Sequence, residues 1–246
     1  MAIPRYLAMT AAEMRAVSDL PAEVAWMACH FSPYGTGLSN LPSTLPPDSL
    51  LILNDRTPIH GHDGERVAKQ LQERIEALHC KGLLLDFQRT EEPETAALVK
   101  HLTGALSCPV TVSDLYARGL DCPVFLPPAP PEVSLETHLA PWQGREIWLE
   151  MALGGEVISL TEQGAQVSPL PHPPGDGQAE TRLHCHYQIS VSDTEVEFPL
   201  WRTAEDLEAL LAEAERLGVT AAVGLYQELQ NFAAPKAFPF GEGGTA

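Results

Sequence analysis

His60-Gly61-His62-Asp63 gathers two imidazoles and a carboxylate within four consecutive residues. Such a set is able to begin a metal site, because zinc and related ions take imidazole nitrogen and carboxylate oxygen as ligands. His30, Asp86 and either His184 or His186 would have to complete it. His184-Cys185-His186 has the alternate spacing that puts two side chains on one face of a strand. The plainer reading makes both pairs surface residues and Asp63 a helix cap. Beyond these His-x-His pairs no compact ligand motif occurs, so neither a bound metal nor another cofactor is expected. Asp86, Glu150 and Glu228 stand at or near the ends of apolar segments, where an acid or base would be placed, although a solvated rim is the commoner use of such positions. Asn54-Asp55-Arg56 and Ser32-Pro33-Tyr34 follow apolar segments in the same way and are candidates for ligand contacts. Trp26, Trp142, Trp148 and Trp201 are able to platform a sugar, with Trp148 the more natural core residue.

The elements that would position these groups are legible in the hydrophobic pattern. Thr10-Ala11-Ala12-Glu13 has the form of a capping box and opens a short helix. Residues 24–31 (VAWMACHF), 50–53 and 82–87 read as the first three strands, the latter two as apolar runs of the kind covered on both faces. Residues 32–48 are rich in Pro, Gly and Ser and read as a loop. Asp63 would cap a helix over 64–79 with Val67, Leu71, Ile75 and Leu78 in one stripe. Pro93 suits the first turn of the next helix, which carries Leu98, Leu102 and Leu106 on one face. Strands are predicted at 109–113, 123–126 and 145–151, with short helices between.

Over residues 156–200 the pattern becomes antiparallel: VISL and QVSPL flank a turn, and HCHYQIS and EVEFPL suggest a second pair. Thr203 caps an amphipathic helix that Gly218 stops, and VTAAVGLY is a last buried strand. Buried strands alternating with amphipathic helices imply an α/β fold with a parallel sheet. The prediction is one domain over residues 1–246, a (β/α)8 TIM-like barrel with some helices short or missing and an antiparallel insertion near 156–200. An open doubly wound sheet is the alternative, but the Gly-rich phosphate turn that would favour nucleotide binding is missing.

A chain of 246 residues is the usual size for such a barrel. Its formal net charge of −18 opposes nucleic acid and anionic membrane as partners. No long apolar run and no basic-then-apolar leader is visible, and five cysteines without a Cys-x-x-Cys spacing suit a reducing compartment, so a cytoplasmic location is expected. Nothing in the sequence specifies an oligomeric state.

Residues 81–88, KGLLLDFQ, resemble the third strand of glycoside hydrolase family 18, whose pattern is Asp-Gly-x-Asp-x-Asp-(Trp/Phe/Tyr)-Glu. Gly82, Asp86 and Phe87 match, whereas Lys81, Leu84 and Gln88 replace two aspartates and the final glutamate. REIWLEMALG at 145–154 resembles the family's sixth strand, and 188–229 resembles its closing hairpin, helix and eighth strand, with Tyr226 where the family has Trp. The resemblance implies that Asp86 would orient an acetamido group, while Gln88 holds the position of the general acid. In that family the substrate's own acetamido oxygen is the nucleophile and the glutamate protonates the leaving oxygen. An amide has no proton to transfer, and losing a general acid costs about 10²–10⁴-fold.

The resemblance therefore implies a family 18-like barrel without standard chitinase-type hydrolysis. It would bind a carbohydrate or small ligand at the C-terminal mouth, through Asp86, Gln88, Tyr226, Tyr34 and Asn54-Asp55-Arg56. Glu150 or Glu228 would be the substitute acid if one exists. The alternatives are a metal-dependent hydrolase using His60 and His62 and a non-enzymatic interaction protein that keeps only the scaffold.

Overall fold

The computed structural model describes residues 3–17, 20–21, 23–33, 37–59, 61–89, 92–170 and 172–230. Eight parallel strands close into a barrel: β1 (Arg5–Met9), β2 (Val24–Phe31), β3 (Leu50–Asn54), β4 (Gly82–Asp86), β5 (Val110–Ser113), β6 (Val124–Leu126), β7 (Ile147–Met151) and β8 (Val219–Leu225). Each pairs in parallel with the next, and β1 bonds to both β8 and β2, which completes the ring. A two-residue strand, Leu38–Ser39, adds antiparallel to the end of β2.

The strand count corrects the sequence reading at one place. RYLAM, residues 5–9, had no strand assigned, yet it is β1. Residues 24–31 are therefore the second strand, 82–86 the fourth and 147–151 the seventh. RYLAM is short and opens on Arg5 and Tyr6, so it lacks a long apolar run; its strand conformation comes from bonding to neighbours on both sides.

Helices α1 (Ala11–Ala16), α2 (Gly64–Leu78), α3 (Pro93–Ala105), α4 (Asp114–Ala117), α5 (Leu135–Leu139), α6 (Ala204–Arg216) and α7 (Tyr226–Leu229) form the outer layer. Their starts follow the predicted chemistry. Thr10 and Glu13 form a capping box, Asp63 accepts from the Glu65 amide, Pro93 opens α3, and Thr203 caps α6 with Asp206 as its reciprocal partner. His79 takes a left-handed conformation (φ 53°) to end α2.

Two apolar clusters follow from the closure. The larger joins the outward faces of the strands to α2, α3 and α6. The smaller fills the barrel with Tyr6, Leu50, Ile52, Leu84, Phe125 and Val223, and Tyr6 stacks on Trp148 with centroids 5.8 Å apart.

Residues 155–201 leave the barrel after β7 as the antiparallel insertion. Its path runs 164–170, 155–161, 195–201, 185–187, 178–180, with Ser190–Val191 pairing on the third of these. The predicted hairpin and second pair are both present. Among the described residues no helix is long and apolar enough to cross a membrane.

Candidate functional site

The C-terminal ends of β3, β4 and β7 bring Asn54, Asp86 and Glu150 to one small cavity of about 60 Å³ at the barrel mouth. Alternation explains why. Along β4, Leu84 and Asp86 share the inward face, and Leu84 is fully buried one step deeper. Along β7, Trp148 and Glu150 point inward while Ile147, Leu149 and Met151 join the outer core. Asn54 and Asp86 are register partners on adjacent strands. Gly224 on β8 completes the lining, and glycine is required there: a Cβ would stand 2.4 Å from Leu229 and 2.7 Å from the Met151 carbonyl, because α7 turns back onto the sheet.

Hydrogen bonds fix the rim. The Asn54 side-chain amide donates to the Met27 carbonyl at 3.0 Å, and its oxygen accepts from the Arg56 amide at 3.1 Å. Asp55, 8% exposed, accepts from the Arg89 backbone at 2.8 Å, and the Arg89 guanidinium donates to the Arg56 carbonyl at 2.7 Å. Gln88 is exposed, and its amide donates to Asp86 at 2.8 Å. Ser113 holds the end of β4 from beneath: its hydroxyl donates to the Phe87 carbonyl at 2.7 Å and accepts from the Phe87 amide at 3.3 Å. Sequence reasoning passed over Ser113; the signal was the alternation of Thr111 and Ser113 with two valines in the buried strand VTVS.

The electrostatics separate the two carboxyls. Burial pushes Glu150 up to about 7, and the charges of Asp86 and Glu228 add to the effect. Asp86 is also raised, by burial first; the Gln88 hydrogen bond opposes the rise and the charge of Asp55 adds to it. Burial thus favours the protonated form of both carboxyls, most strongly at Glu150, and the Gln88 amide is the contact that draws Asp86 back toward the anion.

The other sequence candidates are dispersed. Glu228 accepts from the Leu153 amide and so ties α7 to the loop after β7; it does not line the cavity. Tyr226 opens α7 and packs against the outer core. Asp55 and Arg89 line a separate cavity of about 120 Å³. Tyr34 and His60 lie outside the described residues. His62 sits against Phe31 with ring centroids 5.0 Å apart, and burial lowers its pKa. His30 bonds to the Phe31 carbonyl and Asn40, while His184 pairs with Glu213 and His186 with Asp206. Among the described residues no three His, Cys, Asp or Glu side chains are grouped to hold a metal ion.

No family model matches the sequence, and no curated protein does. Solved structures do match. A glycoside hydrolase family 18 N-acetylglucosaminidase from Paenibacillus barengoltzii is similar at a TM-score of 0.61 and 7% identity, covering 94% of this chain and 98% of that one. A chitinase-like agglutinin from Robinia pseudoacacia is similar at 0.59 and 12%, covering 93% and 98%. A family 18 chitinase from Cycas revoluta, a double mutant in complex with (GlcNAc)4, is similar at 0.58 and 12%, covering 94% and 97%. Identities this low speak for architecture alone, and the architecture agrees with the one KGLLLDFQ implies: the chain is a divergent, family 18-like TIM barrel.

Proposed function

We propose that the barrel mouth binds an N-acetylated carbohydrate without performing chitinase-type hydrolysis. The observation that carries this reading is the pair Asp86 and Gln88: a carboxylate facing into the mouth, held by the amide of a residue that stands where the resemblance expects the proton donor. Leu84, buried behind Asp86, removes the second charge that the resemblance would place there. Ligand pockets usually measure about 300–1,000 Å³. The mouth cavity of about 60 Å³ therefore has room for a substituent such as an acetamido group, with the sugar ring lying across the rim. Similar folds supply the ligand class: one neighbour is a chitinase-like agglutinin, and another, a mutant chitinase in which glutamine replaces a glutamate, is in complex with (GlcNAc)4.

A second reading has its own observation. Glu150 lies in the same cavity as Asp86 and titrates at about 7, the range that suits a general acid. On this reading Glu150 supplies the proton that Gln88 lacks.

One experiment separates the two. Titration of the protein with (GlcNAc)4 by calorimetry is expected to show binding that Asp86→Ala weakens, with no turnover above background. Turnover that Glu150→Gln abolishes would replace the binding reading by the second. Absence of both binding and turnover would remove the carbohydrate reading.

A further inference from the structure

The outer layer of the barrel is uneven. Helices α2 and α3 run 15 and 13 residues, but α4 has four and α5 five. The strand between them, β6, is buried at all three positions, and these short segments leave a crevice of about 490 Å³ beside its end. Leu126 and Pro141 supply apolar wall, Trp142 a ring, and Asp114, Arg118 and His138 the polar groups.

Trp142, His138 and Asp114 are each held by a neighbour. The Arg145 guanidinium lies over the Trp142 ring at 5.5 Å, and it is fixed by the carbonyls of Ala117, Leu120 and Cys122 at 2.9, 2.8 and 2.6 Å. The indole is thus a braced surface rather than a swinging side chain. Nε2 of His138 stands 3.0 Å from the Pro127 carbonyl, which only accepts, so Nε2 carries a proton. Burial lowers the pKa of His138, which keeps the ring neutral and leaves Nδ1 as an acceptor. One oxygen of Asp114 accepts from the Leu115 amide at 2.9 Å. Arg118 is exposed and has no hydrogen bond or ion pair among the described residues.

The charge pattern selects the ligand class. An anion would meet Asp114, and a cation would meet Arg118. A neutral ring bearing many hydroxyls uses both, donating to Asp114 and His138, accepting from Arg118, and laying an apolar face on Trp142. A third cavity, of about 240 Å³, has Phe125 in common with the mouth and Asp114, Leu115 and Pro127 in common with the crevice, so the two are near neighbours.

We propose that the crevice between α4 and α5 is a saccharide-binding site, one or two pyranose rings in size, centred on Trp142 and Arg118. It rests on the carbohydrate reading of the mouth for the class of ligand only. The test uses (GlcNAc)4 and (GlcNAc)2 with the full chain, followed by the indole N–H resonances of its four tryptophans. Trp142 is assigned by the Trp142→Phe variant. The expected result is a saturable shift of the Trp142 resonance that persists in Asp86→Ala. Arg118→Ala should weaken that binding about tenfold, the effect of losing one polar contact of about 1.4 kcal/mol. Arg118 is exposed, so this variant keeps the fold and the comparison stays valid. Binding lost in Asp86→Ala but unchanged in Arg118→Ala, with Trp142 unmoved, would overturn the crevice site and leave the mouth reading intact. No saturable shift at millimolar sugar would overturn the site as well.

Discussion

Strands β3 and β4 bury Leu50, Leu51, Ile52 and Leu53, and Gly82, Leu83, Leu84 and Leu85, without a break, because the barrel core lies on one side and helices on the other. The insertion strand Gly164–Leu170 is exposed over six of its seven positions, and its neighbour Gly155–Thr161 is only half-buried. Cross-strand pairing puts Val167, Ile158 and Phe198 on one face, with Leu160, Val196 and Val191 beside them. Yet Val167 and Val191 remain 58% and 73% exposed. The insertion is therefore fastened at its base rather than packed on its face. Arg202, 5% exposed, donates to the carbonyls of Ala129 at 2.6 Å and His184 at 3.2 Å. His184 and His186 then reach carboxylates on α6. A barrel held by apolar burial throughout and an insertion held at its base, where polar ties surround the buried Cys185, Leu200 and Trp201, should fail under different perturbations.

The largest expected effect tests the apolar side of that contrast. Leu85→Ala opens a cavity in a fully buried cluster and should cost about 2–5 kcal/mol in chemical denaturation. Val167→Ala, the same kind of truncation on the insertion, should stay within about 0.5 kcal/mol. Equal losses would mean that the insertion face is covered in solution.

Next in size is the one ionisable group buried in the mouth with a strongly raised pKa. Burial, then Asp86 and Glu228, lift Glu150 from the ordinary 4.5 to about 7. The folded value lies above the unfolded one, so stability is complete below about pH 4.5 and declines as pH rises through 7. The full shift corresponds to about 3 kcal/mol, an upper bound because the carboxyl retains some water contact. Glu150→Gln should therefore stabilise the protein at pH 8 and leave it unchanged at pH 4. A wild-type stability profile that is flat between pH 5 and 8 would place Glu150 in a wetter site.

Arg202→Ala should follow, at about 1–3 kcal/mol, because it strands buried carbonyls. Its mark should be local: hydrogen exchange should accelerate at 185–187 and 195–201 while β3 and β4 keep their protection. Uniform acceleration would show the two regions unfolding as one unit.

How much of this was legible follows the same division. Apolar runs, caps and stripes announce parallel strands and long helices, so β3, β4, α2 and α6 could be read directly, and Thr10, Asp63, Pro93 and Thr203 marked four helix starts. β1 could not, since its five residues are made a strand by ring closure. KGLLLDFQ pointed to Asp86, which lines the mouth cavity, and to Gln88, which does not line it but bonds to Asp86. The inward position of Glu150 was present in the alternation of IWLEM but depends on which face of β7 meets the barrel interior. Tyr226 was placed by analogy with a Trp, and α7 carries it to the outer core instead of the cavity. Arg202 gave no signal, because a guanidinium that bonds to backbone carbonyls has no sequence partner to point to.

The smallest effect sharpens the comparison most, because it concerns a single tie. Nδ1 of His186 lies 2.7 Å from Asp206, which also accepts from the Thr203 amide at 2.8 Å and hydroxyl at 2.9 Å as the cap of α6. Burial acts to raise the pKa of Asp206, but the hydrogen bonds from Thr203 and His186 outweigh it and hold the carboxyl below the usual aspartate value. A depressed folded value contributes stability that is complete above the ordinary 3.8 and is lost as pH falls through the lower folded value. His186→Ala removes one of those bonds and leaves the Thr203 cap in place. Its cost at pH 7 should be about 0.5 kcal/mol, at the low end for a hydrogen bond because water reaches the pair. The acid limb of the insertion's exchange protection should move to higher pH, since Asp206 then protonates more readily. The barrel amides of β3 and β4 should not follow it. If instead the acid limb stays where it is in wild type, Thr203 alone holds Asp206, and the insertion is fastened to α6 through His184 and Glu213.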